Sequence, residues 1–269
     1  MIRVINFDNV NCCYGNKILV RDLSFSIEKG SFVSVIGSNG SGKSTLVKIL
    51  GGLIPYNGYI NVNGYCLDNN NISNIRKRVK VILCDMDNYF VGNTVLDELV
   101  VNLENMGESR DRIKIKLDNI VKQFKLESIL DKNVYDLTNS ERQIVSVASA
   151  LIGNVDILVM DDCLNQLNVS DKSFVLDIIK DYQKKRKLTV VMVTHDMESV
   201  LYSDRVIVLD KGMIIMDGST VSVLKQRDKL LELGIGSTFV VDLSVKLLEM
   251  GIVSHIYLDM RKLVDRLWK

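Results

Sequence analysis

Eight consecutive residues carry the clearest chemistry in the chain: Gly37-Ser38-Asn39-Gly40-Ser41-Gly42-Lys43-Ser44. They fit GxxxxGK[ST], in which glycines let backbone N–H groups turn inward around an anion where a side chain would obstruct them. A phosphate is the anion such a loop suits. Lys43 supplies a point charge toward β- and γ-phosphates, the Ser44 hydroxyl is a Mg²⁺ ligand, and the following helix adds its favourable dipole end. Thr45 completes the run expected to hold a nucleotide. At average residue frequencies three fixed glycines, a Lys and a Ser/Thr at these spacings arise by chance in a chain of such length roughly one time in a thousand. Further along, Ile157-Leu158-Val159-Met160-Asp161 is an apolar run ending in an acid. Alone it would say little. After a complete phosphate loop, Asp161 reads as the second Mg²⁺ contact.

The elements that must position these groups are legible from periodicity. Phe32 to Ile36 is a short apolar run leading into the loop, and Ser44 to Leu50 is the helix it opens. Ile2 to Val10 alternates at period two, and Leu23 to Ile27 is a second strand-like stretch. Later apolar runs are Val79 to Leu83, Ile157 to Met160, Val190 to Val193 and Val206 to Leu209. Between them lie helix-period segments at Thr94 to Leu103, Arg112 to Phe124, Ser140 to Ile152 and Lys172 to Tyr182. Buried strands alternating with helices imply a parallel sheet covered on both faces. Asp68-Asn69-Asn70-Asn71 reads as a solvated loop. After Gly218 the strand pattern stops, so residues 1–218 are expected to form the nucleotide-binding domain, with a helical subdomain at about 94–153. Residues 219–269 are expected to be a small, mostly helical extension.

Composition narrows the class. At 47% hydrophobic and 25% charged residues the 269-residue chain can bury a sizeable core, and 17 Gly with 1 Pro exclude collagen and Gly/Pro-rich disorder. The net charge of +1 lacks the basic excess of a dedicated nucleic-acid binder, so no nucleic-acid partner is expected. Five cysteines, odd in number and without a CxxC, argue against a disulfide framework and against metal ligation. The first residues lack the apolar core of a signal peptide. The apolar stretch Ile144 to Met160 is interrupted by Ser146, Ser149, Asn154 and Asp156, so it is not read as a bilayer span. The expectation is a cytoplasmic chain.

Further residues fall in an order that resembles an ATP-binding cassette (ABC) ATPase. Tyr14 precedes the loop and matches the aromatic that stacks on adenine in that family. Leu137-Thr138-Asn139-Ser140-Glu141-Arg142-Gln143 sits where the family carries its LSGGQ signature. Thr194-His195-Asp196 follows a strand, and His195 matches the switch histidine that contacts the γ-phosphate. Asp87-Asn88-Tyr89-Phe90-Val91-Gly92-Asn93-Thr94-Val95 is similar to the DNQFVGxTV segment of energy-coupling-factor (ECF) transporter ATPases. Leu230 to Ile235, Val241-Asp242-Leu243 and Gly251-Ile252 are similar to that family's C-terminal extension, which implies a dimer contact for residues 219–269. The resemblance implies an α/β fold of the P-loop NTPase, ABC ATPase type, with a mixed sheet and a helical subdomain. It also implies ATP and Mg²⁺, a second ATPase, a transmembrane coupling protein and a substrate-binding membrane protein. The expected location is peripheral, on the inner face of the cell membrane, and the expected task is uptake of a vitamin or metal ion.

Four catalytic elements depart from that pattern. The acid after Asp161, the catalytic carboxylate that polarises the attacking water, is normally Glu and here is Asp162. One methylene less retracts it by roughly 1.5 Å, so hydrolysis is expected to be slow. In the signature, Thr138 keeps a hydroxyl, Asn139 and Ser140 replace two glycines, and Glu141 replaces Gln. Phosphate recognition in trans by Thr138, Asn139, Ser140 and Glu141 is expected to weaken, while Thr138-x-x-Glu141 is a capping box suited to starting a helix. Cys84 stands at the family's Mg²⁺-bridging Gln, and a thiol is a poor ligand for that hard cation. Asn168 stands where an Asp crosses the dimer interface. The leading expectation is the weaker ATPase of a pair, and the alternatives are a nucleotide-gated, hydrolysis-poor structural subunit paired with a more active ATPase, or the ATPase of another ABC transporter class. Asp85, Asp87, Asp97 and Glu98 are expected on the surface facing the membrane partner, accepting an Arg from it.

Overall fold

The computed structural model describes residues 2–83 and 90–268. Expectations that fall on Cys84, Asp85, Asp87, Asn88 and Tyr89 lie outside these described residues. The chain opens with a hairpin, β1 (Arg3–Tyr14) and β2 (Lys17–Glu28), then β3 (Phe32–Gly37) and α1 (Lys43–Leu50). Next come β4 (Asn57–Val62), β5 (Tyr65–Cys66), α2 (Ile72–Arg76) and β6 (Val79–Ile82). Three helices follow: α3 (Val95–Glu104), α4 (Arg110–Phe124) and α5 (Asn139–Leu151). Then β7 (Ile157–Asp161), α6 (Val169–Arg186), β8 (Thr189–Val193), α7 (Met197–Val200), β9 (Arg205–Asp210) and β10 (Met213–Ser219) complete the sheet. The chain ends in α8 (Thr220–Leu224), α9 (Arg227–Glu232), α10 (Phe239–Glu249) and α11 (Met260–Leu267).

Six strands form one sheet in the order β10-β9-β3-β8-β7-β6. Five of them run parallel and β10 reverses at the edge, so the sheet is mixed, as the family resemblance implies, where strand–helix alternation alone implied a parallel one. The reversal is local chemistry: Lys211 (φ 47°) and Gly212 (φ 80°) both take the left-handed conformation that a two-residue hairpin demands. A second, antiparallel sheet has the order β2-β1-β4-β5. Its β4 escaped the periodicity reading because Asn57, Gly58 and Asn61 dilute it; only Ile60 and Val62 point inward.

The central strands are buried on both faces, which is why β7 and β8 read as unbroken apolar runs. Alternation divides their side chains. Leu158 and Met160 join a cluster with α3, α4, α5 and α6, while Ile157 and Val159 join one with α1 and the antiparallel sheet. A third cluster sets Val206 and Val208 of β9 against Val241 and Leu263 of the C-terminal helices. Helix α6 exceeds the expected Lys172–Tyr182 at both ends. Asn168 caps its start by accepting from Asp171 N–H at 2.8 Å, and left-handed Lys187 (φ 56°) ends it after three basic residues that suit the helix dipole.

Candidate active site

The phosphate loop connects the buried end of β3 to the first turn of α1, as the sequence requires. Gly37 is dictated by close approach: a Cβ there would lie 2.2 Å from the Leu209 carbonyl oxygen at the end of β9. The β9–β10 turn braces the same loop, with Gly212 N–H donating to Ser41 O at 3.0 Å. Ser38 Oγ lies 3.5 Å from Asp210 Oδ1. Asn39 and Gly40 are exposed at the tip, and Thr45, in the first turn of α1, is half-buried.

Lys43 is buried, and its ammonium donates to the carbonyls of Gly37 at 2.8 Å and Ser38 at 2.9 Å. Burial pushes the Lys43 amine below its ordinary value, partly offset by the charges of Asp162 and Asp161. Ser44 Oγ donates to Asp161 Oδ1 at 3.2 Å. Burial raises the Asp161 carboxyl, and the charge of Asp162 adds to it, while Ser44, Lys48 and Lys43 act the other way. Two observations test whether nucleotide and Mg²⁺ suit these residues. A hydroxyl and a carboxylate 3.2 Å apart form a hard-oxygen donor pair. Ser41 Oγ, buried inside the loop, has no hydrogen-bond partner among the described residues. The residues fit.

Asp162 adopts φ 48° and is anchored by its N–H to Val193 O at 2.9 Å. That turn carries the carboxylate to His195, whose N–H donates to Oδ1 at 3.1 Å and whose Nδ1 lies 3.0 Å from Oδ2. An ionised carboxylate only accepts, so Nδ1 bears the proton and Nε2 is left uncommitted. Asp196 beside it is held by Lys172 Nζ and Ser199 Oγ at 2.8 and 2.7 Å, which fixes the strand end that presents His195. Tyr14 ends β1 with its ring 82% exposed, on the hairpin whose Leu19 and Val20 back the phosphate loop at Gly42.

The signature segment starts α5. Thr138 Oγ1 accepts from Glu141 N–H at 3.2 Å and Glu141 Oε2 accepts from Thr138 N–H at 2.8 Å, completing the capping box. Glu141 Oε1 accepts from Lys132 Nζ at 2.9 Å. The Thr138 N–H bond first, then Lys132, hold the Glu141 carboxyl below its ordinary value. Its charge is therefore answered within the chain. Ser140 Oγ donates to Gln166 O at 3.1 Å, and Asn139 is exposed at the first helical position. Among the described residues no hydrogen bond or ion pair joins Thr138, Asn139, Ser140 or Glu141 to residues 37–45. The structure brings together Lys43, Ser44, Asp161, Asp162 and His195, and leaves the signature apart.

One expectation is corrected. Glu98, expected on a docking surface, is 3% exposed. Its Oε2 accepts from Val91 and Gly92 N–H at 2.8 and 3.0 Å, and its Oε1 from Ser149 Oγ at 2.9 Å. Asn102 Nδ2 reaches Oε1 at 3.3 Å, and Lys80 Nζ on β6 reaches Asn102 Oδ1 at 3.3 Å. Gly92 packs so tightly that a Cβ would sit 2.2 Å from Glu98 N, so no larger residue fits. Burial lowers the Lys80 amine, with the Glu98 charge opposing. Sequence reasoning missed this knot, although Val95, Leu99 and Leu103 mark the buried stripe of α3 that Glu98 adjoins. Asp97 is exposed and closes a second capping box with Thr94.

Comparison with known proteins adds the following. The ABC transporter family model matches residues 20–165. The energy-coupling factor transporter ATP-binding protein EcfA1 of Listeria monocytogenes serovar 1/2a is 33% identical over 255 residues, covering 94% of this chain and 91% of that protein. EcfA1 of Mycoplasma genitalium is 34% identical over 266 residues, covering 98% and 96%. Among solved structures, cbiO1 of Clostridium perfringens, described as part of the ABC transporter complex cbiONQ, aligns with a TM-score of 0.77. It is 22% identical and covers 93% of this chain and 100% of that one. The dimeric bacterial ABC transporter cassette MJ0796 aligns with a TM-score of 0.74 at 24% identity, covering 80% and 98%. At such identities the likeness shows the fold.

Proposed function

Because this chain belongs to the ABC transporter family, among its energy-coupling factor ATP-binding proteins, we propose that it is the less active ATPase of a pair in an importer of that type. It would lie on the cytoplasmic face of the membrane, docked to a transmembrane coupling protein and a substrate-binding membrane protein, where slow ATP hydrolysis drives uptake of a vitamin or metal ion. Residues 1–218 would form the cassette. In residues 219–269, exposed Phe239, Met250, Ile252 and Trp268 support a role for the extension as a dimer contact.

The observation that carries the catalytic reading is the convergence of Lys43, Ser44 and Asp161 with the bonded pair Asp162 and His195. Lys43 exchanges its carbonyl partners for phosphate oxygens, a charge-assisted contact in a partly dry site. Ser44 and Asp161 would hold Mg²⁺, which when bound neutralises charge on the phosphates. The Asp162 carboxylate is the base of the set, able to take a proton from water at Oδ1 or Oδ2. His195, oriented by that same carboxylate, offers Nε2 to the terminal phosphate. Tyr14 would stack on the base. Thr138, Asn139, Ser140 and Glu141 would face the partner's phosphate loop.

Capture of this chain by a C-terminal tag from detergent-solubilised membranes tests the reading. The expected complex contains a second, different ATPase and integral membrane proteins, and it hydrolyses ATP. Recovery of copies of this chain alone would refute the pairing.

A further inference from the structure

The change of a signature glycine to Ser140 gives as well as takes. The turn after Asp162 passes through Cys163, Leu164 and Leu167, all buried, with Gln166 exposed at its crest. A crest residue in a short surface turn ordinarily leaves both backbone groups to water. Here both are claimed by side chains from the first two turns of α5. Ser140 Oγ donates to Gln166 O at 3.1 Å, and Gln166 N–H donates to Gln143 Oε1 at 3.2 Å. Gln143 itself is buried, so its carboxamide is a fixed rather than a floating acceptor.

We propose that Ser140 and Gln143 clip the turn following Asp162 to the start of α5, which makes Ser140 a positioning residue for Asp162. The turn is pinned at both ends, by Asp162 N–H on Val193 O at 2.9 Å and by the Asn168 cap on α6. The clip adds the third point, at the crest. Without it the three residues between Asp162 and the crest lose that hold, and the left-handed Asp162 is the residue that would rotate. A glycine at position 140 has no hydroxyl to give. The same substitution that burdens recognition in trans therefore couples the signature turn to this chain's own catalytic acid. Helix α5 does not depend on the hydroxyl, because Thr138 and Glu141 cap it.

The catalytic half of this inference rests on the ATPase reading above; the clip itself does not. Hydrogen exchange on the full chain tests the clip. In Ser140→Ala, amides of residues 163–168 should exchange about two- to twelvefold faster, the range expected for loss of one ordinary hydrogen bond. Exchange in α1 should be unchanged, and Ser140→Thr should restore protection. Unaltered exchange in Ser140→Ala overturns the clip. The positioning role is tested in the assembled complex, with the second ATPase disabled at its own phosphate-loop lysine. Ser140→Ala should lower kcat about three- to tenfold at constant KM for ATP, with Ser140→Thr restoring it. A constant kcat, or a change confined to KM, overturns that role. A wild-type complex that does not hydrolyse ATP would refute the ATPase reading, and the exchange result would still decide the clip.

Discussion

The phosphate loop and the signature turn are both short, polar and set at the start of a helix, yet they use their residues in opposite ways. In the loop, function resides in the backbone and one lysine. Gly37 has no room for a Cβ against Leu209, and the partners of Lys43 are main-chain carbonyls that a ligand can replace. In the signature turn every polar side chain but Asn139 is bonded within the chain: Thr138 with Glu141, Glu141 with Lys132, Ser140 with Gln166. One region keeps its hydrogen-bonding capacity available for a ligand. The other has spent it on local structure. That difference supports the proposal of a chain that binds nucleotide well and serves its partner's site poorly.

The comparison breaks first at Lys43. If the loop's capacity is held for phosphate, Lys43→Ala removes contacts of the charge-assisted kind, and ATP affinity should fall on the order of 10²- to 10³-fold. Titration with a fluorescent ATP analogue measures this. Thermal stability should change little, because Lys43 bonds only carbonyls with other lone pairs to satisfy. Undiminished affinity would move nucleotide binding elsewhere.

Glu98 gives the next effect, and it is structural. Its carboxylate satisfies two backbone N–H groups and a hydroxyl in a site that is 3% exposed. Glu98→Ala leaves those donors unpaired and should destabilise the fold by about 2–4 kcal/mol in denaturant melts. An effect below about 0.5 kcal/mol would mean that water replaces the carboxylate and that the knot between α3, α5 and β6 carries no weight.

Asp162 sharpens the contrast at the catalytic acid. The side chain already reaches His195, but it does so from φ 48°, a conformation Asp tolerates better than Glu. Asp162→Glu should therefore raise the ATPase rate of the complex by about tenfold rather than the hundredfold that an ångström of reach can be worth. No gain at unchanged assembly would count against the proposal that Asp162 limits hydrolysis.

What was legible in the sequence follows from how each feature is encoded. The phosphate loop is contiguous, so its eight residues announce themselves, and the capping box at Thr138 to Glu141 is equally local. Asn168 was read as a departure; its structural use, capping α6, is also a local pattern. The Glu98 knot draws Lys80, Val91, Gly92, Asn102 and Ser149 from two helices, a strand and a loop, and no spacing rule connects them. The clip on Gln166 is likewise a tertiary contact made by a residue whose identity had suggested only loss. Strand β4 was illegible for another reason: its outward positions are Asn57, Tyr59 and Asn61 and its first inward position is Gly58, so the alternation rests on two residues.

The smallest effect lies at Glu141, where the family's Gln restores an amide. Glutamine keeps an acceptor for the Thr138 N–H but loses the charge that pairs with Lys132 and favours the helix start. Glu141→Gln should cost about 0.5–1 kcal/mol at pH 7, as expected for a partly exposed pair. The pH dependence fixes the sign. The folded carboxyl lies below its unfolded value of about 4.3, so its contribution is complete above that pH and is lost as pH falls through the folded value. Wild type and Glu141→Gln should therefore differ in denaturant melts at pH 7 and converge as pH falls below the folded value, where both carry a neutral side chain. A gap that persists in acid would assign the effect to cap geometry instead. In that case Glu141→Gln would return the signature's amide at the cost of loosening the start of α5, and Ser140 would remain the substitution that divides this turn from the phosphate loop.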